Sequence, residues 1–138
     1  MIIKAALLLF RGDGENKQML LVRSKGKTYF IFPGGKQEAG ETIVDALHRE
    51  IKEELQASAE NPKEIGVITG TTPDGRILEE HLFTGKLQGN PLPSAEVEEM
   101  IWVTRKDALN NLELTPISVG QVFPFLQEED IWQQAKIF

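Results

Sequence analysis

The sequence predicts an α/β protein with a mixed sheet between helical layers, and three observations carry that expectation. Apolar or alternating runs of strand length occupy residues 2–11, 18–24, 64–71, 77–87 and 98–104, separated by turns rich in Gly, Pro, Asn and Asp. A run of helical period fills residues 42–55, between the early and late strands. Further helical segments follow the last strand, so helices are available to cover both faces of the sheet. With 138 residues the chain is long enough for one sizeable core and short for two, which predicts a single domain over residues 1–138.

Residues 2–11 are nearly all apolar, as in a strand covered on both faces. Gly12 to Asn16 form a turn, and residues 18–24, built on Met19-Leu20-Leu21-Val22, form a second strand expected to make a hairpin with the first. Ser24-Lys25-Gly26-Lys27 is a basic loop. Thr28-Tyr29-Phe30-Ile31-Phe32 is expected as a short aromatic strand ending at Pro33-Gly34-Gly35, which should stop it and open a loop towards the helix. In that helix Glu41-Thr42 supplies the cap. Ile43, Leu47, Ile51 and Leu55, with Val44 among them, fall on one face at about 100° per residue, while Asp45 and Lys52 lie opposite.

Beyond the helix, residues 58–63 read as a polar linker, 64–71 as a strand, 72–76 as a turn and 77–87 as a strand alternating Leu82, Thr84, Lys86 with His81, Phe83, Gly85. Residues 88–95 form a loop, and 98–104 a strand headed by acids. A helix over 107–112 takes Thr104 or Asp107 as its cap, and Pro116 opens a second helical segment reaching about Leu126. The tail to Phe138 is weakly amphipathic, and its apolar pairs Ile131-Trp132 and Ile137-Phe138 would cover either the core or a second copy, giving a monomer or a homodimer.

Composition excludes several classes. Hydrophobic residues at 41% and charged residues at 26% are ordinary globular values. No apolar run approaches the ~18 residues of a membrane span, and the apolar start is short, with no small-residue cleavage site behind it. Cysteine is absent, which rules out disulfides and thiolate metal sites and fits a cytoplasmic protein. A formal charge of −6 argues against binding a nucleic-acid polymer, although metal ions could still mediate binding of a small nucleotide.

The chemistry concentrates on the 42–55 helix. Glu50, Glu53 and Glu54 are spaced i, i+3, i+4, so they share a patch about one turn long. Glu54 projects between Ile43 and Leu47, and Glu50 lies beside Ile43, which sets the patch on the edge of the packing face. Partly buried like charges repel and are costly to desolvate unless a cation joins them. A hard divalent ion meets that need, because magnesium prefers oxygen ligands.

Three glutamates alone would read equally as a solvated face. Their offsets decide the matter: Gly35, then Glu41 six residues on, then Arg49-Glu50-Ile51-Lys52-Glu53-Glu54. This resembles the Nudix box, with Gly35, Glu41, Arg49, Glu50, Ile51, Glu53 and Glu54 all at the family's spacing. Two positions depart, Gln56 where the pattern has glycine and Ala57 where it has an aliphatic residue. A glycine at that point would suit a left-handed helix ending.

The resemblance implies an α/β/α Nudix sandwich and the hydrolysis of a nucleoside diphosphate linked to another group. It implies magnesium, or manganese in its place, held by Glu50, Glu53, Glu54 and the carbonyl of Gly34, with Gly35, Glu41 and Arg49 shaping the box. For the base that takes the water's proton it offers Glu53 first and a later acid next, here Glu98 among Glu96, Glu98 and Glu99. Glu79 and Glu80 read as strand-surface acids, with Glu80 a further ligand candidate. His48 and His81 read as structural. Arg23 is the best single phosphate contact, with Lys25 and Lys27 beside it, and Tyr29 or Phe30 could stack on a base. The short chain leans towards a small nucleotide such as a nucleoside triphosphate, oxidised ones included. The rival reading is a nucleotide-sensing or partner-binding module without turnover, encouraged only by Gln56.

Overall fold

The computed structural model describes residues 1–128, and the expected apolar tail pairs at 131–132 and 137–138 lie outside the described residues. Strand β1 (Ile2–Leu8) is the centre of the sheet that carries the site. It pairs antiparallel with the short β4 (Gly34–Lys36) and parallel with β6 (Ile77–Gln88), which pairs antiparallel with β5 (Ser58–Thr71). The order β4-β1-β6-β5 is thus a mixed sheet, as expected.

A second, antiparallel sheet was not foreseen. Its order is β2-β3-β7, from β2 (Phe10–Arg11), β3 (Gln18–Ser24) and β7 (Val97–Thr104). The 2–11 run breaks at Leu9, where the chain passes from one sheet to the other. The expected hairpin therefore involves only Phe10 and Arg11, which pair with Met19 and Gln18.

Helix α1 (Ile43–Leu55) starts as the sequence requires. The Thr42 hydroxyl accepts from the Asp45 N–H at 3.0 Å and the Asp45 carboxylate accepts from the Thr42 N–H, closing a capping box. Leu47, Ile51 and Leu55 are fully buried against Ala5, Leu7, Leu20 and Phe83, each side chain contributing about 2 kcal/mol. Val44, expected on this face, is exposed, and Ala46 is buried in its stead. The other face of β1 and β6, with Ala6, Leu8, Leu78 and Leu82, is covered by Val122, Phe123 and Leu126. Helices on the two sides of β1 make the expected sandwich.

Other expectations shift. Residues 58–63 are strand instead of linker, paired with the end of β6 but broken by register shifts between Glu60 and Lys63 and between Glu64 and Gly66. Asn61 at φ 49 absorbs one of them, and this irregular, polar ladder is what made the segment read as a linker. Residues 28–32 are not a strand: they touch the sheets through two isolated bridges, Ile31 with Val22 and Phe30 with Leu114. Gly34–Lys36, read as a loop, is a strand. Gly34, at φ +147, lies so close to β1 that a Cβ there would overlap the carbonyl oxygen of Ala5, a fit only glycine allows.

Helix α2 (Arg105–Asn111) is capped by Thr104, whose hydroxyl accepts from the Asp107 N–H at 3.2 Å. The segment from Pro116 is helical, wound as a π-helix over Ser118–Val122 before α3 (Phe123–Glu128).

Candidate active site

Strand β4 and helix α1 are joined by two side chains of the helix, Arg49 and Glu54. The Arg49 guanidinium grips Glu41 with two parallel bonds, Nε to Oε2 at 2.7 Å and Nη2 to Oε1 at 3.0 Å. Its Nη2 also donates to the Lys36 carbonyl at 2.9 Å and its Nη1 to Glu50 Oε1 at 2.8 Å. Glu41, further held by the Glu38 N–H, has its carboxyl below the usual range because of Arg49, and Arg49 is raised in turn. Helix start, β4 and Glu50 are thereby locked as one unit. Gly35 completes it, since a Cβ there would overlap the Glu50 carboxylate.

Glu54 turns inward and its Oε1 accepts the Gly34 N–H at 2.9 Å. Burial pushes its carboxyl up to about 7, with the charges of Glu50 and Glu53 adding to the rise and the Gly34 N–H opposing it. Glu53 takes the opposite direction. Its side chain is 53% exposed, with an oxygen 3.5 Å from Arg49 Nη1. The expected convergence of three carboxylates is therefore not what the side chains do, and among the described residues no three His, Asp or Glu groups stand close enough to hold one ion. Glu50 and Glu54 are brought together, and Glu53 lies one rotation outside.

Both inward carboxylates, with Gly34 and Gly35, wall a cavity of about 750 Å³ that also takes in Lys4, Lys27, Lys36 and Arg76. Its donors are oxygens at one end and its cations flank them. An all-oxygen pair that includes a half-buried glutamate of raised proton affinity suits a hard divalent ion better than any softer metal.

The other expected residues sort clearly. Arg23 and Glu98, assigned separately as phosphate contact and base, are each other's partners. Arg23 Nη2 donates to Glu98 at 3.1 Å, Nε to Glu99 at 3.2 Å and Nη1 to the Lys27 carbonyl at 3.0 Å. Neither residue lines the cavity, whereas Lys27 and Tyr29 do. Phe30 is 7% exposed and belongs to the core. His81 bridges Glu64 at 2.9 Å and Glu79 at 2.8 Å, a structural contact as expected.

Glu80 is a correction. Read as a strand-surface acid, it is 5% exposed and lines the cavity beside Lys4. The signal was in the sequence: Glu80 is in phase with Leu78 and Leu82, both core residues, so a period-two reading puts a carboxylate on a buried face.

Comparison with known proteins agrees with this geometry. The model of the NUDIX domain family matches residues 2–124. An uncharacterised Nudix hydrolase of Bacillus subtilis (strain 168), YvcI, is 28% identical over 116 residues, 80% of this chain and 72% of that protein. A second B. subtilis protein, provisionally assigned as an 8-oxo-dGTP diphosphatase, is 33% identical over 92 residues, 65% of this chain and 60% of its own length. Among solved structures, the E. coli ORF135 protein superposes with a TM-score of 0.74 at 24% identity, over 97% of this chain and 94% of that one. A MutT protein from Methanosarcina mazei Go1 gives 0.74 and 24%, over 94% of both.

Proposed function

This chain belongs to the Nudix family and is a Nudix-type pyrophosphohydrolase, and on that premise we propose that it depends on a divalent cation and takes a small nucleoside triphosphate as substrate. The observation that carries the reading is the cavity lined together by Glu50 and Glu54, by Lys4, Lys27 and Lys36, and by the Gly34-Gly35 backbone. A polyanion fits such a mixed site only with a cation between the two sets of negative charge.

Glu50 and Glu54 would hold magnesium or manganese, joined by Glu53 on rotation of its side chain and by the Gly34 carbonyl. Such an ion supplies charge neutralisation for the diphosphate and lowers the pKa of bound water. The chain's own groups do the rest. Lys27 and Lys36 bind the outer phosphates, and Tyr29 borders the nucleoside. Arg49, fixed by Glu41 and the Lys36 carbonyl, holds one oxygen of Glu50 and leaves the other directed at the cavity. With the free oxygen of Glu50 given to the ion and Glu98 occupied by Arg23, Glu53, exposed beside Arg49, is the carboxylate left to take the proton of the attacking water. The sensing-module reading drew on Gln56 alone, and the left-handed backbone at Gln56 (φ 51, ψ 34) supplies the helix ending expected of a glycine.

The test is phosphate release with magnesium over nucleoside triphosphates, C8-oxidised purine triphosphates, ADP-ribose and dinucleoside polyphosphates, with pyrophosphatase and phosphatase added in separate arms. Metal-dependent turnover of a triphosphate is the expected result. Silence of the whole panel with magnesium and with manganese overturns the reading.

A further inference from the structure

Glu80 has a role to find. It stands on the sheet face away from α1, in register with Lys4 of β1 and Ile68 of β5, and Leu78 and Ile117 line the same cavity. At 5% exposure it is more than nine-tenths buried, and among the described residues its carboxylate has no hydrogen-bond or ion-pair partner. An ionised carboxylate is a pure acceptor with two oxygens side by side, and here they are left open to the cavity. Lys4, its register partner on the neighbouring strand, is a pure donor lining the same cavity. This part of the wall thus presents two acceptors and one donor.

Resting on the triphosphate reading above, we propose that Glu80 and Lys4 are the specificity-determining pair and that they select a guanine base by its Watson–Crick edge. That edge carries two adjacent N–H donors, N1–H and the 2-amino group, next to the O6 acceptor. Adenine offers one donor beside an acceptor, cytosine one donor beside two acceptors, and uracil or thymine one donor between two acceptors. Guanine alone among them satisfies both Glu80 oxygens and the Lys4 ammonium together. The ionised acceptor makes these bonds roughly twice as strong as neutral ones. Oxidation at C8 leaves the edge intact, so this pair reads guanine whether or not it is damaged. Leu78 and Ile117 give the ring an apolar wall to lie against.

The experiment compares kcat/KM for GTP, ITP and ATP in the wild type, in Glu80→Gln and in Glu80→Leu, with thermal melts to show that each variant is folded. ITP lacks only the 2-amino group. The wild type is expected to favour GTP over ITP and over ATP by at least tenfold. Glu80→Gln, which turns one acceptor into a donor, is expected to narrow the GTP-to-ATP ratio by at least tenfold, and Glu80→Leu to erase the GTP-to-ITP ratio. Equal use of GTP and ITP by the wild type overturns the inference without any variant, as does a GTP-to-ATP ratio unchanged in folded Glu80→Gln. In either case the pyrophosphohydrolase reading survives. Absence of turnover on all three together with the wider panel removes both.

Discussion

On the proposed function, Glu54 is where proton and metal would compete. Its carboxyl is pushed up to about 7 from an ordinary value of 4.5, first by burial. The ionised form is thus the disfavoured one in the folded, metal-free chain. Above pH 7 that form is imposed and detracts from stability, and the penalty lifts as pH falls through about 7 towards 4.5. A divalent ion reverses the preference, because only the ionised carboxylate ligates it. Added magnesium is therefore expected to raise Tm more at pH 8 than at pH 6, with apparent affinity falling up to tenfold per unit below pH 7. Melting curves with and without magnesium at the two pH values test this. An equal shift at both, or one retained in full by Glu54→Gln, would remove Glu54 from the metal site. The sequence placed Glu54 on the edge of the packing face correctly. It could not reveal that Glu53 points away, because helical phase fixes where a Cβ stands and not which rotamer a long side chain adopts.

At the scale of the element, α1 was legible almost to the residue, since caps and apolar period are local signals. Gln56, which stands where the pattern has glycine, carries the left-handed turn that ends the helix. A non-glycine residue in that conformation costs about 1 kcal/mol, and the Gln56 Nε2 to Ser94 bond at 3.1 Å is exposed and returns little. Gln56→Gly is expected to stabilise the protein by about 0.5–1 kcal/mol, near 3 °C in Tm. Calorimetry decides it, and an unchanged or lower Tm would mean that the Ser94 contact matters more than the backbone. Strand β4 shows the opposite limit. Pro33-Gly34-Gly35 signals a break in any local reading, yet Gly34 and Gly35 are strand because they pair with β1, far off in sequence, which meets Gly34 at a distance no side chain permits.

Across the whole molecule, the second sheet was illegible for a similar reason. Nothing in Ala5-Ala6-Leu7-Leu8-Leu9-Phe10 says that Leu8 and Phe10 belong to different sheets, since both halves are equally apolar and β6, the partner of the first half, is distant in sequence. The junction is also where order should be greatest. Leu7 N–H donates to the Pro33 carbonyl at 2.8 Å, Leu20 N–H to Leu9 at 3.1 Å and Val22 N–H to Ile31 at 2.8 Å, all three donors in fully buried residues. Their amides are expected to exchange with solvent only through global unfolding, while amides in 72–76 and 89–95 exchange through local opening. Native-state hydrogen exchange tests the ranking, and early exchange at Leu20 or Val22 would show that the two sheets separate before the molecule unfolds.

The π-helical turn at Ser118–Val122 gives the chain a phase correction. Before it, Thr115 and Ile117 line the cavity, as does Ser118 at its start; after it, Phe123 packs edge-on to Phe32 with ring centroids 6.1 Å apart, and Leu126 is fully buried. A π turn holds one residue more than an α turn, as if a single amino acid had been inserted into an older helix. Removing Gly120 would return the segment to α-helical winding and rotate everything beyond it by about 100°. The shortened chain could keep its cavity wall or its aromatic core, but not both.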